Sequence, residues 1–212
     1  MKLSRLGICG IISLLSYTAM VVFSPLAYPG YDWLSMAVSD LSAVGAPSEA
    51  LAGQLNALFA PCGIVSITAV CVAMGNVTER PLRFGIYLFC AMEWICTVGY
   101  AMFPWVSGAD TAAFQNVMHL LVTVLVVILS IVSIVCIAVG TRKGKYKSLS
   151  KWALFCLVMM LLGAIGSGVM PKAVFGLFER FSTFSTVIFN AVLGAYLLLG
   201  EFGTESADQC EK

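Results

Sequence analysis

The chain has 212 residues, of which 60% are hydrophobic and 11% charged, with a net charge of +1. A soluble domain carries about a quarter charged residues; with a mean hydropathy of +0.95 this composition excludes a water-soluble globular fold. Apolar runs of about 18 residues or more read as membrane helices. Six runs qualify: 6–24, 53–75, 84–103, 117–140, 152–170 and 181–200. The expected fold is all-α, a polytopic membrane bundle of six transmembrane helices. It forms a single domain over 1–203, with a short cytoplasmic tail at 204–212 and no room for a separate soluble domain.

Lys2 and Arg5 precede the first run as in a signal peptide. The apolar run is longer than a signal core, and no small-x-small cleavage site follows, so an uncleaved span is expected. Gly10, Ser13, Tyr17 and Ser24 fall near one face of it. Pro25 and the Tyr28-Pro29-Gly30 turn end it. The stretch 28–47 follows, the longest segment outside the spans and the tail. Asp32 is placed to cap a short helix over 33–42. Leu34, Ala37, Val38 and Leu41 share one side; Ser35, Ser39 and Ser42 share the other. That pattern predicts an amphipathic helix at the membrane interface, with Trp33 and the tyrosines at headgroup depth.

The second span carries Asn56, Gly63 and Ser66 on its small, polar face. The third carries Glu93 near its middle, with Thr97 and Tyr100 continuing the face. An acid there costs about 2.5–3.5 kcal/mol on insertion scales and points into a bundle or wet cavity. Asn116, His119, Thr123, Ser130 and Ser133 stripe the fourth. In the fifth, Gly163/Ser167 and Ala164/Gly168 form small-x-x-x-small pairs that allow close helix approach. The sixth aligns Thr183, Thr186, Asn190 and Gly194 with Glu179. A weak repeat links Gly99-Tyr100-Ala101-Met102-Phe103-Pro104 to Gly166-Ser167-Gly168-Val169-Met170-Pro171 and suggests hairpins whose outer ends converge.

Ten of the 12 basic residues fall before the first span, in the second and fourth connections, and at the end; only Lys172 and Arg180 lie on the other side. The positive-inside rule then predicts a plasma-membrane protein with both termini cytoplasmic and the 28–47 loop outside. The basic run 142–151 is expected to contact anionic lipids rather than nucleic acid. Seven cysteines lie within spans and none forms a C-x-x-C pair, so neither a disulfide framework nor a zinc site is indicated. One histidine with scattered acids offers no metal-binding motif, and no cofactor is expected.

The polar groups on the outer side are Asp32, Ser39, Asp40, Asn56, His119, Glu179 and Arg180. An arginine in a helix's first turn opposes the dipole and wants a carboxylate or an anionic ligand. Tyr28-Pro29-Gly30-Tyr31-Asp32, Ser39-Asp40-Leu41-Ser42-Ala43-x-Gly45-Ala46-Pro47, Asn56, the lone His119 and Gly176-Leu177-Phe178-Glu179-Arg180 together resemble the prokaryotic membrane family called domain of unknown function 998. The resemblance covers nearly the whole chain and implies a six-helix membrane bundle without implying an activity. It carries over Ser39, Asp40, Gly45, Asn56, His119, Glu179 and Arg180; Glu93 is outside its pattern.

Three functional readings follow. In the first, Asp40, Asn56, His119, Glu179 and Arg180 line an outward-facing pocket for a lipid headgroup or small anionic ligand, with Asp40 or Glu179 as partner of Arg180. In the second, an intramembrane hydrolase or transferase uses His119 as base, Asp40 to orient it, and Ser39 or water as nucleophile. In the third, a small proton-coupled carrier uses Glu93; against it stands the absence of clear midplane helix breaks or inverted halves.

Overall fold

The computed structural model describes residues 2–202, so the expected tail at 204–212, with Cys210 and Lys212, lies outside the described residues. Among the described residues there are eight α-helices, and seven of them make six helices long and apolar enough to cross a membrane. The first is α1, Ile8–Phe23, extended by 3-10 turns to Leu3–Ala27. A four-residue turn, α2, spans Val38–Leu41. The second crossing is split into α3, Glu49–Leu55, and α4, Phe59–Ala73. Then come α5, Arg80–Met102; α6, Phe114–Gly140; α7, Lys147–Val169; and α8, Phe175–Leu198. The helices pack in chain order, and α1 closes the ring against α8 while α4 also meets α8. Two ends result: a loop end carrying the 28–47 stretch, and a basic end carrying the 142–151 run.

Lipid as solvent explains which residues face outward. On α6, Leu120, Leu121, Val124, Leu125, Ile128, Val132, Val135 and Val139 are exposed, while Ser130 and Ser133 are buried. The small polar residues pack inward because helices in lipid associate through close contact and interhelical hydrogen bonds, not through burial of apolar area. The repeat glycines serve this. A Cβ on Gly99 would strike Val122 of α6, and one on Gly166 would strike the Phe178 ring of α8. Gly163 meets α8 likewise, whereas Gly168 meets nothing within 4 Å.

The break between α3 and α4 has a cause in Pro61. It has no N–H for the carbonyl of Ala57, and its ring crowds that turn. The Phe59 N–H turns to the Asn56 carbonyl at 3.0 Å. The Leu55 carbonyl, left without its helical donor, accepts from Ser16 Oγ of α1 at 2.6 Å, and the Phe59 carbonyl accepts from Ser13 Oγ at 2.8 Å. Two apolar clusters fill the interior. The larger is built around Ile67, Val70, Leu82, Ile86, Phe89, Ile134, Ile137, Phe189 and Leu193. The smaller, with Tyr17, Met20, Val38, Leu41, Ala52 and Val187, seats the loop end.

Two boundaries differ from the sequence reading. The 33–42 stretch is not one amphipathic helix: a turn over 33–36 and the four-residue α2 replace it. The sixth crossing begins six residues early, so Glu179 and Arg180 lie inside α8 rather than ahead of it. The two differences share a cause.

Candidate functional site

The loop end is held by a reciprocal set of hydrogen bonds between the 31–38 backbone and the start of α8. Asp32 caps the first turn: its Oδ1 accepts from Leu34 N–H at 3.1 Å and its Oδ2 from Ser35 Oγ at 2.5 Å. Those bonds hold the Asp32 carboxyl below the usual aspartate range. The carbonyls that a continuing helix would use internally instead face α8. Arg180 Nη1 donates to the carbonyls of Trp33 at 2.8 Å, Met36 at 3.1 Å and Gly176 at 2.7 Å. Leu177 N–H donates to the Leu34 carbonyl at 3.1 Å. Arg180 Nη2 donates to the Tyr31 hydroxyl at 2.6 Å, and that hydroxyl donates to the Ala37 carbonyl at 2.8 Å. Burial pushes the Tyr31 phenol up to about 12 despite the guanidinium beside it, so it remains a donor. A helix over 33–42 would have to surrender these bonds, which is why the stretch breaks.

Glu179 supplies the return half. Its Oε2 accepts from Val38 N–H at 2.6 Å, and Ser39 N–H lies against the same carboxyl. A carboxylate at a helix N-terminus satisfies donors that the helix itself cannot. Asp40 Oδ2 accepts from Ala37 N–H at 2.9 Å within the same turn. Gly176 permits the approach: a Cβ there would strike the Met36 carbonyl and sit 2.8 Å from both Arg180 Nη1 and the Trp33 carbonyl. The hydrogen bonds of Arg180 thus go to neutral oxygens, not to Asp40 or Glu179.

His119 stands apart from this set, at the head of α6. Its Nδ1 donates to the Phe103 carbonyl at 2.9 Å, and its ring lies 4.8 Å from Tyr100 and 5.6 Å from Trp105 by centroid. It connects to the loop end only through the second loop. Val44 N–H donates to the Trp105 carbonyl at 2.8 Å, and Ser107 N–H to the Val44 carbonyl at 3.0 Å. Asn116, fully buried, pins that loop by accepting from Val106 N–H at 3.0 Å and donating to the Asp110 carbonyl at 3.2 Å. Ser39, Asp40 and His119 make no hydrogen bond to one another: Asp40 takes the Ala37 N–H and His119 the Phe103 carbonyl. Asn56 lies at the α3–α4 break, its Oδ1 buried without a hydrogen-bond partner among the described residues. Glu93, 7% exposed, faces the bundle interior beside Asn190.

Tyr31 is the participant that sequence reasoning missed. Its signal was present: an arginine in the first turns of a helix needs acceptors, and a tyrosine next to a Pro-Gly turn supplies one while its neighbours expose carbonyls. Burial pushes the Asp40 carboxyl above the usual range, against the opposing pull of Ala37 N–H and Arg180. A raised folded value stabilises below the ordinary 3.8 and loses that stabilisation as pH rises through the folded value. Asp40→Asn keeps an acceptor and removes the charge. Wild-type stability relative to Asp40→Asn is therefore expected to fall as pH rises above the ordinary aspartate range, read by denaturant unfolding in detergent; a parallel pair of profiles would contradict it.

No curated protein and no solved structure matches the chain. A family model does match, over residues 11–196, which takes in four crossings whole, most of the first and sixth, and every residue of the loop end. This multi-pass membrane protein belongs to the family described as Protein of unknown function (DUF998).

Proposed function

We propose that the chain resides in the plasma membrane with both termini cytoplasmic, and that its outward-facing loop end binds an anionic lipid headgroup or a small free anion such as phosphate. The supporting observation is the condition of Arg180. It is fixed in place by three carbonyls and the Tyr31 hydroxyl, so its charge is positioned without a bonded counter-ion. A fixed guanidinium attracts phosphate and carboxylate through its charge and through the N–H groups it has not committed to the loop. Asp40 and Glu179 are engaged with backbone N–H groups, and burial disfavours the charge on Asp40. Burial thereby leaves the guanidinium less opposed by Asp40, while the Asp32 carboxylate still acts on it. Asn56, whose amide Nδ2 is the atom able to donate to an anion, and His119, at the rim of the docked second loop, are the further contacts.

The test uses the full chain in nanodiscs of zwitterionic lipid, with Trp94, Trp105 and Trp152 replaced so that Trp33 alone reports. Adding an anionic phospholipid is expected to change Trp33 emission saturably, and inorganic phosphate to do so if the headgroup alone suffices. The basic end does not confound this reading, since Trp33 lies in the Arg180 loop. A Trp33 signal indifferent to both additions would overturn the proposal.

A further inference from the structure

A second polar cluster lies where α4, α5 and α8 cross, and the loop end does not use it. Glu93 is 7% exposed, Asn190 3%, and Ser66 is fully buried. Groups of this kind persist inside a membrane bundle when they are partnered. Here two acceptors are not: Asn190 Oδ1 and Ser66 Oγ are buried without a hydrogen-bond partner among the described residues. Asn190 Nδ2 donates to the Gly63 carbonyl at 3.3 Å, and the same amide faces the Glu93 carboxyl. Glycines hold the backbones this close. A Cβ on Gly10 would sit 2.7 Å from Ser66 Oγ, and one on Gly63 would sit 3.5 Å from Asn190 Nδ2.

The cluster therefore has an excess of oxygen acceptors and one carboxyl, and it lacks positive charge. Facing Glu93 are Asn190 from α8 and the thiols of Cys90 and Cys96 on its own helix, with Cys71 of α4 against Cys90. The buried residues of α6 are Asn116, Ser130, Ser133, Ile134 and Ile137. None of these is basic.

We propose that Glu93, Asn190 and Ser66, with the Gly63 carbonyl, form a buried site for a small monovalent cation, a sodium ion or a proton. One carboxylate balances one positive charge, and the orphan oxygens of Asn190 and Ser66 become ligands or acceptors. Divalent and transition ions want more anionic or softer donors, and no three of His, Cys, Asp or Glu converge among the described residues. Toward the loop end lie the buried Tyr17 and the half-buried Tyr100, both near Glu179. Toward the basic end, Ile67, Val70, Phe89, Phe189 and Leu193 form an apolar seal. This site is independent of the anion reading at Arg180, and either can fail alone.

The experiment measures the thermal midpoint of the full chain in detergent against sodium chloride, with choline chloride holding ionic strength constant, at several pH values. If the ion is sodium, the midpoint rises saturably with sodium in the wild type and not in Glu93→Gln. If it is a proton, sodium has no effect, and the wild-type midpoint gains on that of Glu93→Gln as pH falls. Should Glu93→Gln not fold, Glu93→Asp serves. It keeps the charge but withdraws it by one methylene, and is expected to shift the half-saturating sodium concentration, or the proton concentration at the pH midpoint, about tenfold or more. A wild-type midpoint indifferent to both ions overturns the proposal, as does a response that survives unchanged in either variant.

Discussion

Arg180→Ala is expected to lower stability by about 3 kcal/mol or more, since hydrogen bonds from a charged donor are worth about 1.5–3 kcal/mol each. The reason is that one side chain serves four acceptors: the carbonyls of Trp33, Met36 and Gly176, and the Tyr31 hydroxyl. Its loss frees the turn over 33–36 while leaving the Glu179 cap on Val38 in place. Arg180→Lys is expected to rescue little, because an ammonium on a flexible stem does not reproduce the planar fork. Hydrogen exchange is the discriminating measurement. Amides over 31–41 should lose protection in Arg180→Ala, while those of α5 and α6 should not. Uniform loss of protection across the bundle, or none, would show that the guanidinium does not organise this loop.

Gly194→Leu is expected to be the most damaging single change in the membrane interior. A Cβ at Gly194 would sit 2.5 Å from the Gly7 carbonyl and 2.7 Å from Ser66 Oγ, and a Cβ at Gly7 would strike the Gly194 carbonyl. The obstacles are largely backbone, so α1 and α8 must separate rather than adjust rotamers. Overpacking typically costs about 1–3 kcal/mol, and more where the backbone has to move. The control is Gly168→Ala. Nothing lies within 4 Å of a Cβ there, and alanine is the better helix former by about 0.5–1 kcal/mol. Yield of folded protein and the midpoint of thermal unfolding in detergent should therefore fall sharply for the first and hold or rise for the second. Equal behaviour of the two variants would mean that the α1–α8 crossing is not the close contact described.

The contrast between Gly194 and Gly168 shows how far sequence reading reaches. Both glycines stand in apolar helices, and small-residue spacing marked the Gly168 helix for close approach; Gly163 and Gly166 of that helix do meet α8, while Gly168 does not. Spacing states that a helix is able to approach a neighbour; which face receives one depends on the ring order of the bundle. The Asp40, Asn56 and His119 readings have the same limit. Their expected outward placement followed from hydropathy and charge, but the partners of Asp40 and His119 lie 3 and 16 residues away, on an N–H and a carbonyl whose direction no residue type encodes, and Asn56 Oδ1 is buried without a partner among the described residues. Glu179 and Arg180 illustrate it most clearly, since they bond to backbone some 140 residues earlier in the chain.

The sequence by itself determined six apolar crossings and an all-helical bundle, because backbone polar groups in lipid must be satisfied within each segment. It also determined Asp32 as the cap of a turn, since that bond is local. Only the tertiary structure decided that the 33–42 stretch breaks in two and that α8 begins early. Local propensity favoured one amphipathic helix there. The Arg180 fork, the Tyr31 hydroxyl and the Glu179 carboxylate, brought together by packing against α8, offered that backbone stronger partners than its own next turn.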